Sequence, residues 1–204
     1  MKIPILSIIT LILILNGCYM GKPLSGKKTL YIENTFETTV NNTFGNKYSD
    51  KLKWNDYRAA FMSGLKSEGN YYNLEAVDNN SQHPDFTIVI KSFSVNESSH
   101  SETVSDEKSP YNGKSFDLSS LDASSSFVLY KGNKETLLGE WSTSANKDEK
   151  ISNNRNFGDY IFGANKDNSE YRYKELKDDI CIDLSEKCGK HVIAKITRKI
   201  SKNQ

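Results

Sequence analysis

The chain has 204 residues, with 27 Lys and Arg against 26 Asp and Glu and a formal net charge of +1. A balance this close to neutral argues against nucleic acid as the main partner, because binding its phosphates normally needs a clear basic excess. With 11 Tyr and 9 Phe the sequence can fill one sizeable hydrophobic core, and its length fits a single domain behind a short leader.

The N-terminus opens with Lys2 and an apolar run over residues 3–15, broken only by Pro4, Ser7 and Thr10. That run is too short for a transmembrane helix, which needs about 20 apolar residues. It has the length of a signal-peptide core, and residues 1–17 are predicted to be a cleaved signal peptide. The next residues, Leu15-Asn16-Gly17-Cys18, resemble the lipobox of bacterial lipoproteins. The resemblance implies cleavage before Cys18 and acylation of its thiol, with palmitate-type chains holding the protein to a membrane. The alternative is an ordinary secretory signal followed by a chance cysteine. Each buried methylene contributes about 0.8 kcal/mol and stable anchoring takes more than one chain, a requirement that this modification meets. Tyr19 stands where an inner-membrane retention aspartate would be. By resemblance to those sorting rules, the protein is expected on the outer membrane facing the periplasm, or on the outer face of a single membrane.

Residues 18–27 read as a lipidated tether and residues 28–204 as one domain. Residues 28–36, rich in β-branched and aromatic side chains, predict a strand, and a polar Asn/Thr-rich loop follows to Asp50. Trp54, Tyr57, Phe61 and Leu65 form one apolar stripe of a helix over residues 52–66, with Gly69 as its stop. Residues 71–77 alternate as a strand, and residues 85–95 give the clearest strand in the chain. A Ser-rich, charged loop is expected over residues 97–114. Residues 124–130 and 136–144 flank Lys131-Gly132-Asn133-Lys134, a hairpin signal. A second polar loop, residues 145–169, carries an aromatic island at Phe157, Tyr160, Ile161 and Phe162. A long helix over residues 171–201 closes the chain, its Leu176, Ile180, Leu184, Cys188, Val192, Ile196 and Ile200 recurring at steps of four. That step drifts around a straight helix, so the stripe must wrap, bend or split near Gly189.

Strand, helix, four strands and helix make an α+β fold, a two-layer sandwich with a mixed sheet of about five strands and two helices on one face. Residues 28–36, Pro84-Asp85-Phe86 leading into a strand, and the hairpin from Ser126 through Trp141 resemble small envelope lipoproteins in pattern. These are the lipopolysaccharide-assembly lipoproteins and the lipoprotein activators of penicillin-binding proteins. The resemblance implies this fold and an accessory role beside a membrane machine.

The chemistry-bearing residues are sparse. His83 and His100 fall on loops or loop edges, His191 stands apart, and the three offer no metal-ligand spacing. No nucleophile elbow, zinc-protease motif or phosphate loop occurs, so neither cofactor nor metal is expected. Cys181 and Cys188 lie about 10.5 Å apart along an unbroken helix, too far for a disulfide. Free thiols are expected, and a bond only if the chain breaks near Gly189. Trp54 and Trp141 fall on core-facing patterns. Lys190, Lys195, Arg198, Lys199 and Lys202 are spaced as the solvated face of a helix. The aromatic island is the candidate contact surface, its alternative being a loop pinned to its own core.

Three readings follow. The first is a non-catalytic partner or scaffold, held near an envelope protein by its lipid, which raises its effective concentration there. The second is a binding module for a lipid, glycan or peptide, and the third an enzyme whose residues converge only in the fold. The absence of catalytic motifs favours the first, with no enzyme activity expected.

Overall fold

A computed structural model of the chain describes residues 22–33, 36–42, 54–77, 83–153 and 169–202. Cys18 and the island Phe157, Tyr160, Ile161 and Phe162 lie outside the described residues. Among the described residues six strands and two helices follow in the order β1 (Lys28–Glu33), β2 (Glu37–Asn42), α1 (Trp54–Tyr71), β3 (Leu74–Val77), β4 (Phe86–Thr103), β5 (Ser115–Lys131), β6 (Thr136–Asn153) and α2 (Ser169–Ser201). The sheet runs β3-β1-β4-β5-β6, with β2 also paired to β4. β1 takes residues 86–89 of β4 and β2 takes residues 92–97, both parallel, so two consecutive segments share one sheet position. The sheet is therefore mixed and five strands wide, with both helices on one face. This is the α+β sandwich expected.

Strand β2 and the lengths of β4, β5 and β6 correct the sequence reading. β2 falls within the expected Asn/Thr-rich loop. β4 runs on to Thr103, β5 starts at Ser115 and β6 reaches Asn153, so much of both expected polar loops is strand. The physical reason is cross-strand satisfaction: serine hydroxyls that look loop-like in sequence bond to one another across the sheet.

The inner face of the sheet is apolar. Ile88 and Ile90 face the helices, and so do Phe93 and Val95, although the spacing between the two pairs is odd. A bulge between Ile90 and Ser92 absorbs the extra residue, Lys91. Without it every side chain beyond Ile90 would turn to the other face. Leu121, Ala123, Phe127 and Leu129 of β5 complete the layer.

Helix α1 buries Tyr57, Phe61 and Leu65 at 0–1 % exposure, as its period requires. Phe61 stacks on Phe93 with ring centroids 4.4 Å apart, and Phe36 meets both edge-on. The helix does not stop at Gly69. It runs to Tyr71, and the turn after it closes at Asn73, whose φ of 61° is left-handed; Gly69 is required because a Cβ there would lie 2.7 Å from the Leu74 carbonyl. Helix α2 passes Gly189 unbroken. A Cβ on Gly189 would collide with the Phe61 carbonyl, and one on Gly64 with that of Glu186, so the two glycines let the helices cross at backbone contact. Cys181 and Cys188 are buried free thiols, as an unbroken helix demands.

The docked chain begins before β1. Leu24 is 3 % exposed; its N–H donates to the Tyr72 carbonyl and its carbonyl accepts from Asn73 Nδ2, each at 3.1 Å. Part of the stretch expected as a tether is thus fixed to the end of α1.

Candidate functional site

Two features of the sheet set the candidate site: an open polar face, and a locked polar cluster under α2. On the face away from the helices, strand pairing aligns Ser92, Ser126 and Ser142 in one row and Ser94, Ser124 and Ser144 in the next. Asn96, Asp122 and Asn146 form a third. Ser92 and Ser126 hydroxyls lie 2.7 Å apart, Ser94 and Ser124 2.8 Å, and Asn96 Nδ2 donates to Asp122 Oδ1 at 3.4 Å. Among the described residues no element packs on these rows, which are exposed or half-exposed.

The same three strands extend past the helices as a ribbon. Residues 98–103 of β4 are all exposed, and polar pairs hold them to β5: Ser101 Oγ donates to Asp117 Oδ1, and Thr103 and Ser115 hydroxyls meet, both at 2.7 Å. At the tip Tyr111 packs edge-on against Phe116, 6.0 Å away, and remains 53 % exposed. His100, expected at a loop edge, sits in this strand and is exposed.

The buried cluster lies where the ribbon meets α2. Glu97 is fully buried, and the Tyr173 hydroxyl donates to its Oε1 while lying 2.6 Å from Ser119 Oγ. Lys177 is 4 % exposed beside them, and Tyr57 Oη donates to Asp178 Oδ1 at 2.7 Å. Burial pushes the Tyr173 hydroxyl far up, and its bond to Glu97 adds to this. Burial, then the Glu97 charge, pushes the Cys181 thiol up to about 12. An activated nucleophile has its pKa lowered; here both move the other way. The cluster therefore locks the start of α2 to the sheet. Glu97 could have been found in sequence, since it continues the alternation of Phe93 and Val95, but the serines after it masked the pattern.

The remaining sequence candidates do not converge. His83 is exposed ahead of β4. His191 Nδ1 lies 3.0 Å from the Ser144 carbonyl, which can only accept, so the ring nitrogen donates. Lys195 Nζ donates to the Ser142 carbonyl at 2.8 Å. Together they cover carbonyls of β6, the edge strand, against further pairing. Trp141 is half-buried, 6.0 Å from Phe127, and shields Gly139; the Trp54 side chain lies outside those described. Among the described residues no three His, Cys, Asp or Glu side chains gather as metal ligands, and no helix is long and apolar enough to cross a membrane.

No family model matches the chain, and no curated protein matches it. Solved structures do. A minor lipoprotein from Acinetobacter baumannii is 11 % identical over 86 % of this chain and 94 % of its own, with a TM-score of 0.36. An uncharacterized lipoprotein B from Nitrosomonas europaea is 11 % identical over 89 % and 94 %, with a TM-score of 0.38. A proposed neuraminyllactose-binding hemagglutinin homolog from Helicobacter pylori is 12 % identical over 90 % and 91 %, with a TM-score of 0.43. All three scores are below 0.5, so the likeness assigns this chain no function and no partner.

Proposed function

We propose that the protein is a lipid-anchored lipoprotein of the bacterial envelope, held through Cys18, that acts without catalysis as a partner or scaffold of an envelope machine. Its finer placement is the outer membrane, facing the periplasm. The observation that carries the scaffold role is the open sheet face drawn out into an exposed ribbon, which offers a partner both a flat polar surface and a projecting edge. The buried polar groups favour the same reading, because Tyr173 and Cys181 are held in their protonated forms.

In-cell crosslinking of the full-length protein, followed by affinity capture and mass spectrometry, tests the role, with Cys18→Ser as the unanchored control. Recovery of one envelope protein, lost in the control and weakened by Tyr111→Ala at the ribbon tip, is the expected result. Turnover of an envelope substrate by the purified protein, abolished by one point mutation, would overturn it. Incorporation of a labelled fatty acid into the wild type but not into Cys18→Ser tests the anchor separately.

A further inference from the structure

We infer that the end of the domain opposite the ribbon is a docking surface for anionic phospholipid headgroups, and that it seats the domain on the membrane holding its lipid. The inference rests on the anchor reading for Cys18 and adds an orientation to it. Leu24 is pinned at the C-terminal end of α1. Leu24 is the sixth residue after Cys18, a reach of about 20 Å fully extended. An anchored Cys18 therefore keeps this end near the bilayer and leaves the ribbon pointing away.

Several elements converge at that end. β1, β3 and β4 begin there, and the β5–β6 hairpin turns there, since Lys28 pairs with Leu74, Leu30 with Phe86, and Phe86 with Lys131. Helix α2 runs down towards it, because His191 meets Ser144 and Lys195 meets Ser142, nearer the start of β6.

The charges fit an anionic surface. Three acids of this end are paired: Glu75 with Lys27 at 2.9 Å, Asp85 with Lys28 at 3.7 Å and Glu33 with Lys134 at 2.6 Å. Lys22, Lys131, Lys199 and Lys202 add to the positive charge of this end, and Glu68, Glu135 and Glu140 offset part of it. Arg198 and Lys199 also complement the negative end of the α2 dipole; Lys22 and Lys131 belong to other elements and have no such reason. The ribbon end, by contrast, carries Glu102, Asp106, Glu107 and Asp117 against Lys108 and Lys114. A second observation agrees. Tyr71, 57 % exposed, and Leu137, 60 % exposed, both lie at the basic end, and an exposed Tyr beside basic residues suits the headgroup level of a bilayer.

The test uses the full-length protein, purified in detergent from cells that lipidate it and reconstituted on vesicles of phosphatidylcholine alone or mixed with phosphatidylglycerol. A fluorophore is attached through Asn133→Cys at the basic end or Asn112→Cys at the ribbon tip. Quenching by a headgroup-labelled lipid reports closeness to the bilayer, and Cys181 and Cys188 are buried away from the label. On phosphatidylglycerol vesicles the Asn133→Cys probe should be quenched and the Asn112→Cys probe not, with the difference fading as salt rises. Lys22→Gln, Lys131→Gln and Lys202→Gln alter exposed side chains only. Together they should lower the ratio of docked to undocked protein on the order of a hundredfold, about fivefold each.

Equal quenching of the two probes, or quenching that the triple variant leaves unchanged, would overturn the inference. Flotation separates it from the anchor. Failure to float with phosphatidylcholine alone sinks the anchor reading; flotation that then needs phosphatidylglycerol and the three lysines upholds the docking surface. Flotation with neither vesicle sinks both.

Discussion

Strands β4, β5 and β6 are each built of two unlike halves. Under the helices, Ile88, Ile90, Phe93 and Val95 pair with the layer of Leu121, Ala123, Phe127 and Leu129, all of them buried. Beyond Glu97 the same strands carry Ser101 and Thr103 against Asp117 and Ser115, held by side-chain hydrogen bonds at the surface. Burial of one large apolar side chain contributes about 1.5–3 kcal/mol, whereas a cross-strand polar pair contributes about 0.2–1 kcal/mol. Stability is therefore concentrated at the helix-covered end, and the ribbon is the part that can open or be remodelled by a partner at low cost.

The sharpest contrast comes from Phe93, fully buried and stacked on Phe61. Phe93→Ala should destabilise the fold by about 3–5 kcal/mol, read as a lowered midpoint in urea. Tyr111→Ala, at the exposed ribbon tip, should shift the same midpoint by less than about 1 kcal/mol. Comparable shifts would mean that the ribbon is as strongly held as the core, and the division drawn here would fail.

The junction between the halves comes next. Tyr173 joins Glu97 and Ser119 at the start of α2. Tyr173→Phe removes the donor to a buried carboxylate and should cost about 1–3 kcal/mol. The loss should show first as faster amide exchange in the opening turns of α2, with β1 and β4 near Phe86 unaffected. Uniformly faster exchange would instead make the cluster part of the main core.

How much of this was legible follows the same division. The stripe Tyr57, Phe61 and Leu65, the strand through Ile88 and Ile90 and the hairpin at Lys131 to Lys134 all carry hydropathy at the right period, and each lies where expected. The ribbon carries no such alternation, because serine, threonine and aspartate occupy both faces, so its strands read as loops. Strand β2, with Glu, Thr and Asn around a single Val40, was hidden for the same reason. Gly189 read as a bend in a drifting stripe, while its need is set by backbone on another helix. The pinning of Leu24 by Tyr72 and Asn73 is a long-range contact that no local pattern announces. Cys18 and the aromatic island lie outside the described residues.

A weaker effect is expected where acid titrates the sheet's basic end. Burial alone would raise the Asp85 carboxyl, but the Thr29 N–H and hydroxyl, at 2.8 and 3.0 Å, and then Lys28, outweigh it and hold it below its ordinary value. A lowered carboxyl stabilises the fold fully above its unfolded pKa of about 3.9 and loses that contribution as pH falls through the folded value. Asp85 is 41 % exposed, so solvent screening keeps the contribution below about 1 kcal/mol. Asp85→Asn should be less stable than the wild type at neutral pH and approach it in acid. A gap that stays constant with pH would assign the effect to packing.

The smallest effect belongs to the open face, and two neighbouring serines isolate it. Ser94 is half-exposed and shares a hydrogen bond with Ser124 at 2.8 Å; Ser94→Ala leaves the Ser124 hydroxyl to water and should cost under about 0.5 kcal/mol. Ser125, one residue on from Ser124, turns inward at 3 % exposure and donates to the Ser92 carbonyl at 2.9 Å. Ser125→Ala removes a bond that water cannot replace there and should cost about 1 kcal/mol. If the Ser94 variant were the more damaging of the two, the serine rows would have to be covered in solution by something bound to them. A partner seated on that face is what the scaffold reading supplies, so repeating the pair of measurements in the cell envelope should reverse their order.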